Sequence, residues 1–329
     1  MRDLLPGIFR RPEIALAAGI VLICFLAGPW FFLSLRPPES RSVPISFEVG
    51  SGDGFRTVSR ELRRDGIIRS QTAFVIWTGL TGNLRDLKPG IYVFPPGAAA
   101  PDILRQLVSG PQPVRVTIPE GLTAYEVDGL LARAGVTPAG DFAQLARTQN
   151  IEGRLFPDTY DFYQRSAAVD IVRQMQDNFH IRTRTVLDGS ETENNHWLVV
   201  ASLLEKEVPD TEERRIVAGI IEKRLKAGMP LQVDATICYL KELRASRDVA
   251  CYPLTPEDFK VDSPYNTYVK PGLPPGPIAS PGLLSLQAAH QPIESPYWFY
   301  LSDPQTKRTV FAKNFEEHKQ NRARFQSAR

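Results

Sequence analysis

The stretch Trp197-Leu-Val-Val-Ala-Ser-Leu-Leu-Glu-Lys-Glu-Val208 decides how the C-terminal half of the chain folds. Leu198 to Leu204 are all apolar or small, so a helix here has almost no face to give to water and must be buried. Asn194 and Asn195 offer cap chemistry ahead of it. After Pro209 a second helix is predicted as far as Lys226, with Ile216, Ile220 and Leu225 inward and Gly228 as its stop. The buried helix delivers Glu205 at its C-terminal end. Desolvation and the negative end of the helix dipole both raise the pKa of a carboxyl placed there. A carboxyl protonated near neutral pH is what general-acid catalysis requires. Ala201 and Ser202, one turn earlier, are small enough to leave room for a ligand. Glu207 points about 200° away around the helix axis, so the two glutamates cannot face one cleft. The plainer reading is that Glu205 only marks where the helix re-enters water beside Lys206 and Glu207.

Downstream, Leu231 to Thr236 is extended, and residues 261–281 are too rich in Pro, Gly, Tyr and Asn for a regular element. Within that loop, Ser263-Pro-Tyr-Asn-Thr-Tyr268 and Gly272-Leu-Pro-Pro-Gly-Pro-Ile-Ala-Ser-Pro-Gly282 carry rings and amides of the kind that stack on pyranoses and bond sugar hydroxyls. A loop that merely caps the core is the alternative. Trp298 to Leu301 and Thr309 to Phe311 read as a hairpin, followed by a polar helix.

Upstream, the chain repeats itself with an offset of 69 residues. Phe47, Val49, Gly52, Val58, Leu62, Gly66 and Ile67 recur as Val116, Ile118, Gly121, Val127, Leu131, Gly135 and Val136. Each unit reads as strand, glycine turn and helix with a glycine stop. Between the units a second helix over Ser70 to Thr78, a strand over Gly90 to Phe94 and a helix from Pro101 to Val108 are predicted. That strand–helix–helix–strand order is the layout of small glycan-binding modules of the lysin-motif type, and also of an ordinary α+β spacer.

At the N-terminus, Ile14 to Leu35 contains no charged residue and matches the hydrocarbon thickness of a bilayer. It ends Phe-Phe-Leu-Ser-Leu-Arg, without the small-residue pattern of a cleavage site, so an uncleaved anchor is expected. Arg2, Arg10 and Arg11 before it, against Arg36 and Arg41 after it, favour a cytoplasmic N-terminus. A net charge of +2 points to no nucleic-acid partner. The scattered histidines and cysteines match no metal motif, and no cofactor site is read. Cys238 and Cys251 are equally readable as a disulfide or as two free thiols.

Taken together, Ile118-Pro-Glu-Gly121, Glu152-Gly-Arg-Leu-Phe-Pro-Asp-Thr-Tyr160, Ala201-Ser-Leu-Leu-Glu-Lys-Glu207, Gly228-Met-Pro-Leu-Gln-Val-Asp-Ala-Thr236, Ser263–Tyr268 and Gly272–Ile278 resemble the endolytic murein transglycosylase family. The resemblance runs from the anchor to the C-terminus. It implies an α+β, single-pass inner-membrane protein whose catalytic region faces the periplasm. Residues 1–13 are then cytoplasmic, 14–35 the membrane helix, 36–44 a Pro-rich linker and 45–115 a lysin-motif-like module. An intermediate α+β region over 116–195 and a catalytic domain over 196–329 complete the expected layout.

The implied activity is cleavage within nascent peptidoglycan strands, between N-acetylmuramic acid and N-acetylglucosamine, leaving 1,6-anhydro ends. Glu205 is matched to the catalytic glutamate. Gln232, Asp234, Tyr265, Asn266, Thr267, Tyr268 and Ser280 are expected on the substrate groove. Peptidoglycan synthases of the penicillin-binding type are the implied partners. Ala235 and Ser280 depart from the family pattern, which often has Pro and Asn there. A hydrolytic muramidase using Glu205 with Asp234, a non-catalytic glycan-binding tether and a division scaffold are the competing readings.

Overall fold

The computed structural model describes residues 25, 27–38, 43–50, 52–84, 86–303, 306 and 308–326. Most of the expected membrane helix, including Ile14 to Cys24, lies outside the described residues, as does the whole of 1–13. Among the described residues no helix is long and apolar enough to cross a membrane. A helical stretch over 27–34 leads to Leu35, which is buried, and the Leu35 carbonyl accepts the Ala100 N–H at 3.0 Å.

The chain divides into two compact units, one up to Pro113 and one from Val114. In the first, β1 (Ile45–Val49) pairs antiparallel with β2 (Gly90–Phe94), with Ile45 opposite Phe94. Between the strands lie α1 (Phe55–Arg64) and α2 (Gln71–Leu80), and α3 (Ala100–Ser109) follows. Alternate strand residues Phe47, Val49, Tyr92 and Phe94 meet Val58, Leu62, Phe74, Ile103 and Leu107 in one core. Ser70 caps α2 by accepting the Ala73 N–H.

The second unit opens with the same order. β3 (Val114–Thr117) pairs antiparallel with β4 (Thr159–Phe162), enclosing α4 (Ala124–Arg133) and α5 (Asp141–Thr148), and α6 (Ala168–Thr183) follows. The repeat therefore extends beyond the stretch that the sequence pattern reveals, into what reads as an intermediate region. Gly66 and Gly135, at φ +68° and +69°, end α1 and α4 in the same left-handed turn, which suits a residue without Cβ.

The rest of the second unit is built on α7 (Glu191–Glu207) and α8 (Thr211–Lys226). α7 begins earlier than Asn194-Asn195. Ser190 and Glu193 form a reciprocal capping box, which satisfies the first N–H groups and leaves both asparagines inside the helix. Leu198 through Leu204 are all buried, as their composition requires. α9 (Asp234–Ala245) follows, then a loop broken only by a short 3-10 turn at Asp258–Lys260. α10 (Leu283–His290) packs on both α7 and α8, and β5 (Phe299–Ser302) and β6 (Thr309–Ala312) form the expected hairpin before α11 (Phe315–Gln326). α8 also holds the chain ahead of that hairpin. The Arg224 guanidinium donates to the Trp298 carbonyl at 2.8 Å, and Lys223 donates to the carbonyls of Ser295 and Tyr297.

Gly219 marks the tightest approach onto α8, since a Cβ there would sit 2.0 Å from the Ile293 carbonyl oxygen. The Ile293 N–H in turn bonds the Arg215 carbonyl at 2.9 Å, so the segment cannot shift freely. Gly219→Ala is expected to destabilise the protein by about 1–3 kcal/mol, read as a lowered Tm in thermal unfolding.

Candidate active site

The two glutamates at the end of α7 have different surroundings. Glu205 is engaged on both oxygens. Oε1 accepts from the Arg214 guanidinium at 2.9 Å and Oε2 from the Gly282 N–H at 2.9 Å. The side chains of this ion pair are only 8% and 6% exposed. Arg214 also donates to the Val208 carbonyl at 2.6 Å. The room expected beside Ala201 and Ser202 is filled by the Pro/Gly-rich loop, where the Ile278 N–H donates to Ser202 Oγ at 3.1 Å. That loop is fastened elsewhere too. The backbone of Ser280 exchanges bonds of 2.8 Å with Gly121 and Leu122, and Gly153 packs under Pro277 where a Cβ would not fit. Glu205, which the sequence matches to the catalytic glutamate, is therefore engaged in a buried ion pair with Arg214 and a bond from the Gly282 N–H.

Glu207 lies on the other face of the helix and lines a cavity of about 320 Å³. Lys206, Tyr239, Tyr252 and the Cys238–Cys251 disulfide share that wall. Burial pushes the Glu207 carboxyl up to about 7, and the nearby charge of Asp234 pushes in the same direction against a hydrogen bond from the Ala235 N–H. Asp234 accepts a hydrogen bond from the Tyr268 hydroxyl. Burial raises Tyr268, Tyr252 and Tyr300, with Glu207 and Asp234 adding to each. The structure thus gathers Glu207, Asp234, Tyr268, Tyr252 and Tyr300 into one electrostatic neighbourhood.

The other expected groove residues separate into two groups. Asn266 is 0% exposed and its amide is spent on the backbone: Nδ2 donates to the carbonyls of Phe259 and Val261, and Oδ1 accepts the Tyr268 N–H. Thr267 is buried and joins the Val233 N–H to Thr236 Oγ1. Ser280 is also buried. These three hold the loop together and present nothing to a ligand in this conformation. Gln232 is exposed at φ +52°, and its N–H donates to the Thr267 carbonyl at 3.0 Å. Tyr265 stacks at a tilt on Tyr239, with ring centroids 5.2 Å apart.

Sequence reasoning missed three further carboxyls. Glu152 is pushed up to about 7 by burial, yet is supported by the Ala124 N–H at 3.1 Å and the Tyr239 hydroxyl at 3.3 Å. Glu242 reaches about 7 for the same first reason. Glu120 is raised by burial and by the charge of Glu205, and its side chain packs over Gly282. A Glu in a loop carries no periodic signal, so Glu120 and Glu152 stand in the sequence only as members of motifs that resemble the family, with no role attached to either.

The fold is α+β, and one wall of its cavity carries Glu207, a carboxyl that burial raises to about 7. The YceG-like family model matches residues 47–324, and the chain belongs to that family. It is 27% identical to the endolytic murein transglycosylase of Bacillus subtilis, over 90% of this chain and 89% of that protein. The endolytic murein transglycosylase of Streptococcus pneumoniae strain R6 is 26% identical over 88% of this chain, which spans 60% of that protein. A crystal structure of a yceG-like protein from Listeria monocytogenes superposes with a TM-score of 0.53 at 25% identity, covering 85% of this chain and 99% of that one.

Glu205→Gln removes the charge that Arg214 requires. The expected outcome is a loss on the order of 3 kcal/mol in unfolding free energy, measured by denaturant titration.

Proposed function

We propose that the chain is an endolytic murein transglycosylase in which Glu207 is the proton donor. The observation that carries this reading is the Glu207 carboxyl, raised to about 7 by burial while lining a cavity beside Asp234. Protonated Glu207 donates to the glycosidic oxygen as the bond from C1 of N-acetylmuramic acid breaks. The resulting carboxylate then takes the proton from the C6 hydroxyl of the same sugar as that oxygen bonds to C1. One carboxyl serves both steps, and the nucleophile is supplied by the substrate, so no separate water need be positioned. Asp234 assists by making loss of the Glu207 proton less favourable before the sugar arrives. Tyr268, whose hydroxyl bonds Asp234, and the exposed Gln232 are assigned to sugar contacts. Glu205 is assigned to holding α7, α8 and the loop in register.

The rest of the reading concerns placement. The charge-free run Ile14 to Leu35 supports a single-pass anchor in the inner membrane. The Cys238–Cys251 disulfide supports an oxidising compartment, hence a periplasmic catalytic region. The strand–helix–helix–strand units support lysin-motif-like glycan binding. Such an enzyme would end strand elongation beside peptidoglycan synthases.

The proximity of Asp234 to Glu207 keeps a hydrolytic muramidase as the second reading. Digestion of purified peptidoglycan with mass spectrometry of the products distinguishes them, because hydrolysis adds one water and transglycosylation does not. Glu207→Gln is expected to lower the rate by at least about 10²-fold with an unchanged Tm. If that variant instead retains the full rate of anhydro-ended release, Glu207 is not the donor. Because the protonated carboxyl is the active form, kcat/KM is expected to fall as pH rises through about 7.

A further inference from the structure

Glu242 on α9 is 6% exposed, and its Oε2 is buried without a hydrogen-bond partner. Thr123 bonds the carboxyl group, and nothing serves that second oxygen. An unserved buried carboxylate oxygen is costly and calls for a counter-charge. Glu126 on α4 and Asp248 each bring a carboxylate oxygen close to the Glu242 carboxyl, one oxygen of each of the three residues lying within 4.8 Å of the others. Asp248 belongs to the loop that the Cys238–Cys251 disulfide closes back onto α9. All three residues line the same cavity of about 320 Å³, which leaves space for water beside them.

The positive charge already present is small. The Lys206 ammonium stands 3.7 Å from Glu126 Oε2 and also donates to the Gly121 carbonyl at 3.0 Å. One ammonium faces three carboxylates. Burial, then the charges of Glu126 and Asp248, push Glu242 up to about 7, against the Thr123 hydrogen bond and the Lys206 ammonium. The donor set is all oxygen, from three separate segments, with neither imidazole nor free thiolate. That favours a hard cation with a flexible coordination shell over a transition metal.

We propose that Glu126, Glu242 and Asp248 together bind one Ca²⁺ ion, with water completing its shell. The ion joins the disulfide-closed loop to α4 and α9 and so steadies the wall of the cavity that carries Tyr252. Sites of few protein ligands outside the cytosol bind with a Kd of about 0.1–1 mM. This inference does not depend on the substrate or on which glutamate is the proton donor.

The test is calorimetric titration of CaCl2 into the chelator-treated full chain in detergent micelles at neutral pH. A single saturable site in that range is expected, weakened at least about tenfold by Asp248→Asn and by Glu242→Gln. Asp248 is exposed, so its variant should keep the Tm of the calcium-free wild type. The proposal is overturned if the wild type shows no saturable binding below about 10 mM, an order above the expected Kd. Equal binding by the folded Asp248→Asn protein overturns it as well.

Discussion

The carboxylate of Glu205 joins three parts of the second unit, two successive helices and a loop residue 77 positions away. It meets Arg214 on the next helix and the N–H of Gly282 at the end of the long loop. A buried ion pair helps only where the remaining donors and acceptors are also served. Here Arg214 spends another N–H on the Val208 carbonyl, and the second Glu205 oxygen takes the Gly282 N–H. Ser202, three residues before Glu205 on the same helix face, adds a second fastening through Ile278. The loop held in this way reaches back to Gly121 and Leu122 through Ser280, and to Gly153 through Pro277. The strand–helix–helix–strand copy and the helices of the second unit are therefore connected through a segment with almost no regular structure of its own.

That fastening explains which part of the site could be read from the sequence. The burial of α7 followed from a run of apolar residues that leaves no polar face. The opposed directions of Glu205 and Glu207 followed from helix geometry. Which of the two faces stays open did not, because it depends on where residues 272–282 return, some seventy positions later. The small residues Ala201 and Ser202 suggested a ligand pocket, and the chain fills that space with its own loop. Asn266 shows the same limit. A loop amide can bind a sugar or the loop's own carbonyls, and only the fold shows that it closes a turn around Phe259 and Val261.

The duplication was half readable for a related reason. Gly66 and Gly135 announce themselves because a left-handed helix end selects glycine, so the first strand and helix of each copy align. The second helices do not, since Gln71–Leu80 and Asp141–Thr148 need only bury a stripe of apolar side chains and can do so with unrelated sequences. Backbone register is kept where side-chain identity is not. β2 and β4 close their respective sheets at nearly the same offset as β1 and β3.

Burial alone does not select a catalytic acid in this molecule, because Glu152, Glu207 and Glu242 are all raised to about 7 by it. Their partners separate them. Glu152 is surrounded by donors, the Ala124 N–H and the Tyr239 hydroxyl, and Tyr239 in turn carries Tyr265, so it acts as a strut under the loop. Glu242 lacks a donor on one oxygen and has two carboxylates for neighbours, an arrangement that answers to a cation. Glu207 has a single backbone donor and a single like charge, Asp234, which accepts a hydrogen bond from the Tyr268 hydroxyl. A group that must release a proton and take one back within a turnover needs neighbours that hold neither state firmly. Among these three carboxyls, that condition is met at Glu207.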